Sequence, residues 1–145
     1  MSQPVDDIKI ADDTPNVGDD IETQLLCTLQ ETLPQACNSN FVLSARDRQG
    51  RLVGGLAANT AYGWLLIKAL WVASSHRNRG IGRALIERAE VKAGKIGCHG
   101  AWLDTSNPKA KAFYAQLGYS TFGRLANSIG QQPAGHCRWF MKKPL

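Results

Sequence analysis

The sequence predicts a single α/β domain built on a central mixed β-sheet with helices packed on both faces. Three observations carry that expectation. Elements read in the order helix, three strands, helix, strand, helix, two strands, which fits a mixed sheet covered by helices. A chain of 145 residues with 43% hydrophobic content is the size of one domain and can bury one continuous core. Two helix starts are marked by local punctuation, Gly80-Ile81-Gly82 before one and Asn107-Pro108 before the other. The expectation is therefore one domain over residues 1–145, with about residues 1–6 outside its folded part.

The elements follow in order. Asp20 offers an N-cap to a helix carrying Ile21, Leu25, Leu26 and Leu29 close to one face, and this helix stops before Pro34. A weakly patterned stretch passes through Ala36 and Cys37, and a weakly supported strand precedes the helix at Asp7–Ala11. Phe41–Ala45 and Leu52–Ala58 flank the polar group Arg46-Asp47-Arg48-Gln49-Gly50 as an antiparallel hairpin, in which Gly54 and Gly55 allow close backbone approach. Tyr62–Val72, rich in Trp, Leu, Ile and Val, reads as a central strand covered on both faces. The next helix turns Ile81, Ala84, Leu85 and Ala89 inward and ends at Gly94 or Gly97. Ala101–Asp104 is a short strand. Asn107–Leu117 is a helix with Pro108 first, Phe113 and Leu117 in the core and Gly118 just past its end. Strands around Tyr119–Leu125 and Cys137–Lys142 close the chain on either side of the loop 127–136.

Composition narrows the functional classes. The longest apolar run, Trp64 to Leu70, is interrupted by Lys68 and far shorter than the roughly 20 residues a membrane span requires. The N-terminus has neither the basic start nor the apolar stretch of a secretory signal, so the expected location is the cytoplasm. Cys27, Cys37, Cys98 and Cys137 form no metal-ligand spacing and read as reduced thiols, with no metal expected. Residues 1–39 hold eight acids against one base, whereas residues 40–145 hold sixteen bases against four acids, gathered around Arg77, Arg79, Arg83, Arg88, Lys92 and Lys95. Such asymmetry suits a polyanionic partner, which leaves nucleic acid, a phosphorylated cofactor and plain solvation open. No zinc-finger spacing, RNP-type aromatic pair or GXXG loop supports nucleic acid.

A strand that runs into a glycine-rich turn and then a helix gathers unpaired backbone N–H groups at the positive end of the helix dipole, which is an anion site. Gly80 and Gly82 let a ligand approach the backbone, and Arg77, Arg79 and Arg83 add charge. A P-loop is excluded because G-x-x-x-x-G-K-[ST] is absent, Gly94-Lys95 being followed by Ile96. A dinucleotide fingerprint fails because Leu85 stands where its third glycine belongs.

Arg77-Asn78-Arg79-Gly80-Ile81-Gly82 resembles the [RQ]-x-x-G-x-[GA] acyl-CoA motif of the GNAT superfamily of N-acetyltransferases. Leu70-Trp71-Val72 before it resembles the end of that family's fourth strand. Asn107 to Tyr119 resembles its N-x-x-A-x-x-[FL]-Y-x-x-x-G-[FY] block, and the likeness covers roughly Leu52 to Phe122. The resemblance implies an acetyl-CoA-dependent acyltransferase that acts on a small-molecule amine, and carries residue roles with it. Amides from Asn78 to Arg83, with Arg77 beside them, would hold the CoA pyrophosphate. Trp71 and Val72 would offer backbone groups to the pantetheine arm and the thioester oxygen. Asn107 would bond the pantetheine, and Tyr114, two turns along the same helix, would protonate the leaving thiolate. Read on the residues alone, Asn107 is equally an N-cap and Tyr114 a half-buried aromatic.

The same resemblance implies direct attack by a neutral amine, without a covalent enzyme intermediate. Many family members use a glutamate on the fourth strand as the proton acceptor, and Trp64–Val72 contains none, which leaves Asp104, His136 or water. A route through Cys98 or Cys137 has no visible base partner. The acid-rich first 39 residues include the helix that borders the acceptor site in the family, which suggests a small cationic amine. A catalytically silent CoA-binding regulator with this fold and, less well supported, a nucleic-acid-binding module are the competing readings. Monomer and homodimer both stay open.

Overall fold

Apolar, strand-forming sequence before residue 73 and glycine-bounded helices after it give, in the computed structural model, a six-stranded mixed sheet with helices. The structure describes residues 7–35 and 39–145. The chain divides into two compact units, Met1–Ala36 and Cys37–Leu145.

The first unit contains helix α1, Val17–Thr32. It starts earlier than Asp20 because a tight turn precedes it, in which the Val17 amide donates to the Thr14 carbonyl and the Gly18 amide to that of Pro15. Asn16 takes the cap position, and Asp19 and Asp20 fall in the first turn, where carboxylates suit the dipole. The helix ends before Pro34, as expected, with the Leu33 amide donating to Leu29. Asp7–Ala11 is not a strand: its two isoleucines stand among acids and pair with no neighbour. The expectations for residues 1–6 and for the stretch through Ala36 and Cys37 lie outside the described residues.

The second unit opens with three antiparallel strands, β1 (Ser39–Arg46), β2 (Leu52–Ala61) and β3 (Trp64–Val72). The Asp47 carboxylate organises the first turn by accepting from the amides of Gln49 and Arg51 and from Arg51 Nε. These donors, led by the Arg51 amide, hold its carboxyl below the ordinary range. Tyr62 and Gly63 do not extend β3 as expected; with φ of 55° and 79° they form the two-residue link of the second hairpin. Gly54 and Gly55 do permit close approach, since a Cβ on either would lie 3.1 Å from the carbonyl oxygen of Trp71 or Leu43.

After a single 3-10 turn, Ser74–His76, come α2 (Ile81–Lys95), β4 (Gly100–Thr105), α3 (Pro108–Gln116), β5 (Ser120–Ala126) and β6 (Cys137–Pro144). The sheet order is β1-β2-β3-β4-β6-β5, with β3 and β4 parallel and every other pair antiparallel. This is the mixed sheet expected, with β3 in its interior. One core joins Leu56 and Ala58 of β2, Leu65 and Ile67 of β3, Leu103 of β4 and Met141 of β6 to Ile86, Ala89 and Ala93 of α2 and Tyr114 of α3. Ala84 is exposed, and Ile86, fully buried, takes the place expected for it. Gly97, at φ 97°, ends the helix and lets the Cys98 amide return to the Ala93 carbonyl.

Candidate functional site

Strands β3 and β4 pair only over Trp64–Leu66 and Gly100–Trp102. Past Leu66 they part, so the β4-facing backbone edge of β3 has no strand partner in its second half. An extra residue, Lys68, also bulges β3 against β2, since Ala57 stands opposite Ala69 while Ala58 stands opposite Ile67. The bulge shifts the alternation: Leu65 and Ile67 join the core, then Leu70 packs against it while Lys68, Ala69 and Trp71 are exposed. The expectation of a strand covered on both faces therefore fails in this half. The end of β3, the following turn and the two helices line a groove of about 710 Å³.

One wall is the glycine turn. Arg77 Nε donates to the Val72 carbonyl at 3.0 Å, which ties the turn to the end of β3. Asn78 and Gly80 both adopt left-handed backbone, at φ 62° and 79°, and Gly80 occupies the N-cap position of α2 without a side chain to close it. The Ala84 amide makes the bond to Gly80 that opens the helix, so the amides of Ile81, Gly82 and Arg83 have no intrahelical partner. Gly82 lies against α3, where a Cβ would come 3.3 Å from Phe113 Cζ. Open amides, a dipole end and a bare backbone fit a phosphate group.

The facing wall is α3. Asn107 Oδ1 accepts from the Lys109 amide at 2.9 Å, so the N-cap role is real, and its side-chain amide nitrogen is left as a donor at the groove. Tyr114 is 8% exposed, and burial holds its phenol above the ordinary tyrosine range. Its ring meets those of Phe113 and Tyr119 edge-on, at centroid distances of 5.2 and 5.9 Å. Tyr119 spends its hydroxyl on Glu90 at 2.9 Å, a carboxylate that also accepts from Lys143 Nζ at 3.0 Å. Burial first, then the Glu90 charge, push Tyr119 higher still. The Tyr114 hydroxyl has no such partner among the described residues, and Tyr114 lines the groove as a neutral donor.

The residues expected at the site gather in this groove: Trp71, Val72, Arg77, Asn78, Gly80, Ile81, Gly82, Arg83, Asn107 and Tyr114 all line it. Arg79 stands exposed in the turn and does not. Asp104 is held by Arg138, whose Nε and Nη2 both approach Oδ1 at 2.9 Å, and His136 Nε2 lies 2.9 Å from Ser106 Oγ. Neither Asp104 nor His136 lines the groove. Cys98 is buried in the core and its thiol is pushed up by that burial, which opposes a nucleophilic role. Leu70, His76, Lys109, Ala110 and Phe113 also line the groove without having been singled out as site residues. Lys109 and Ala110 were findable, being one helical turn or less from Asn107.

The comparisons with known proteins agree with this geometry. Residues 10–119 match the Acetyltransferase (GNAT) family. An acetyltransferase of Agrobacterium fabrum is 39% identical over 101 residues, covering 70% of this chain and 71% of that protein. The blasticidin-S acetyltransferase of Streptomyces morookaense is 38% identical over 106 residues, covering 72% and 75%. The crystal structure of an acetyltransferase from Bacillus cereus superposes with a TM-score of 0.77 at 27% identity, covering 94% of this chain and 97% of that one. With a split sheet, an open helix start and a matching family span of 110 residues, the chain belongs to the GNAT family of acetyltransferases.

Proposed function

We propose that this N-acetyltransferase holds acetyl-CoA in the groove between β3, the N-terminus of α2 and α3, and delivers the acetyl group to the primary amine of a small cationic acceptor. The observation that carries the reading is the juxtaposition of three unpartnered α2 amides with the neutral hydroxyl of the largely buried Tyr114 in one groove. The amides of Ile81, Gly82 and Arg83 bind the pyrophosphate. The β4-facing edge of Leu70–Val72, left without a strand partner, bonds the pantetheine arm along its length, and one of its amides stabilises the negative charge that develops on the thioester oxygen. Asn107 donates to the same arm from the opposite wall.

The amine attacks the carbonyl carbon as the C–S bond breaks, and Tyr114 gives its proton to the departing sulfur. The amine's own proton goes to water or to Asp104 or His136, and the pairing of Asp104 with Arg138 disfavours the first of these side chains. A small cationic acceptor is supported by the eight acids among the first 39 residues and by the 38% identical relative, which acetylates blasticidin-S. A screen of amines with free-thiol release as the readout tests the reading. Cationic small amines should outperform neutral peptides, with rates rising toward pH 8 to 9 as more amine is unprotonated. Acetyl-CoA should raise the melting temperature where NAD and ATP do not. No thiol release with any amine, in a protein that acetyl-CoA stabilises, would favour the silent CoA-binding regulator.

A further inference from the structure

We infer that Lys109 is a phosphate-binding residue of the groove, a task that the sequence pattern hands to the arginines of the glycine turn. The inference rests on the groove being the acetyl-CoA site. Four basic side chains line it, His76, Arg77, Arg83 and Lys109. Three are engaged within the protein: His76 Nδ1 lies 2.8 Å from Ser75 Oγ, Arg77 Nε is bound to the Val72 carbonyl, and Arg83 Nε lies 2.8 Å from the Glu87 carboxylate, which offsets its charge. Among the described residues, the Lys109 ammonium has no acceptor. Its backbone, by contrast, is fixed, because its amide is the one that Asn107 caps.

The placement of this charge is electrostatically adverse in the free protein. Lys109 sits in the first turn of α3, at the positive end of the dipole, and α3 contains no acid to offset it. Lys111, two residues on, rests 4.8 Å above the Trp139 ring, whereas Lys109 makes no comparable contact among the described residues. An anion between α3 and the open amides of α2 would satisfy both walls at once. The chemistry recognised is phosphate, which CoA offers twice, in its pyrophosphate and in its 3′-phosphate.

Calorimetric titration of the full chain with CoA tests the inference. Lys109→Ala and Lys109→Gln should weaken binding roughly five- to tenfold at low salt, as expected for one charge-assisted contact at an exposed site, and the loss should shrink at high salt. Lys109→Arg should restore most of the affinity, and Lys111→Ala, which removes the same charge outside the groove, should leave it unchanged. With 3′-dephospho-CoA, a persisting loss assigns Lys109 to the pyrophosphate and a vanished loss assigns it to the 3′-phosphate; either supports the inference. Unaltered CoA affinity in both neutral variants, or a loss that salt does not diminish, overturns it. Absence of CoA binding by the unsubstituted protein would instead remove the functional reading beneath it.

Discussion

The two helices that flank the groove begin in opposite ways. Helix α2 starts at a left-handed glycine that has no side chain to cap it, and its first amides are left open. Helix α3 starts with Asn107 bonded to the Lys109 amide and with Pro108 removing one further N–H, so that of its first three positions just the Ala110 amide is left open among the described residues. A helix start costs stability when its amides lack partners, and capping normally recovers about 1 kcal/mol. The second helix recovers it internally. The first leaves its amides open, so that in the proposed function the α2 terminus binds a ligand and the α3 terminus is a scaffold that presents side chains. The same division holds farther off: Asp104 and His136 are closed on Arg138 and Ser106, whereas the Tyr114 hydroxyl is not.

The largest test of that contrast is at the open end. Gly82→Asp should abolish detectable acetyl-CoA binding, because it sets a carboxylate beside the proposed pyrophosphate site and crowds Phe113. Gly82→Ala carries the crowding without the charge and should retain measurable binding; equal loss in the two, seen in thermal shift with acetyl-CoA, would mean that packing against α3 decides the site and the amides do not.

Next comes the unpartnered hydroxyl. Tyr114→Phe should lower kcat by about 10²–10⁴-fold with little change in acetyl-CoA affinity, the pattern of a positioned general acid. Because burial raises the Tyr114 pKa, the donor stays protonated beyond the pH at which an exposed tyrosine ionises, so the wild-type rate should not fall near pH 10 on this group's account. The raised values of Tyr114 and Tyr119 also stabilise the fold fully below the ordinary tyrosine pKa, and that stability should drain away as pH climbs through the folded values. A mutant as active as the parent would reduce Tyr114 to packing.

At the closed end the effects should be smaller and separable. Asn107→Ala should cost about 1 kcal/mol, or about 3 °C in melting temperature, and also raise KM for acetyl-CoA. Asn107→Ser keeps a cap and loses the amide donor, so its stability should hold while KM still rises. If both variants show the same KM as the parent, the residue is a cap alone. Smallest of all should be Asp104→Asn and His136→Ala, each lowering kcat/KM less than tenfold if water takes the amine's proton; a larger loss in either would identify the base.

Much of this organisation was legible in residue order, and the failures have physical causes. Helix ends marked by Pro108 and Gly118 are well placed because those residues act through their own backbone, independently of what surrounds them, and of the two glycines offered for the end of α2, Gly94 and Gly97, the left-handed φ falls at Gly97. Tyr62 was misread as strand because aromatic content signals β structure, while its left-handed φ is imposed by the hairpin it links to Gly63. Ile86 is missed in favour of Ala84 because the two flank Leu85 on opposite sides, each about 100° from it around the helix, and only packing chooses the side. At the site, the motif arginines were readable but not what they bind: whether a guanidinium faces a ligand, a carbonyl or a neighbouring glutamate depends on tertiary geometry, as Arg77 and Arg83 show.

The bulge at Lys68 has a consequence for how this site tolerates change. Side chains alternate along a strand with a period of two, so one extra residue inverts the parity of everything after it. Leu70 packs on the core side only because Lys68 is skipped in the pairing with β2, where Ala57 and Ala58 face Ala69 and Ile67. Replacing Lys68 with another residue keeps that parity. Deleting it would remove the bulge and leave the parity as it is, because Ile67 and Ala69 already face the adjacent Ala58 and Ala57; pairing Lys68 regularly with β2 would instead turn Ala69 and Trp71 toward the helices and Leu70 and Val72 away. At this point the enzyme is specified by arithmetic, and a frame of one residue separates a working wall from its mirror.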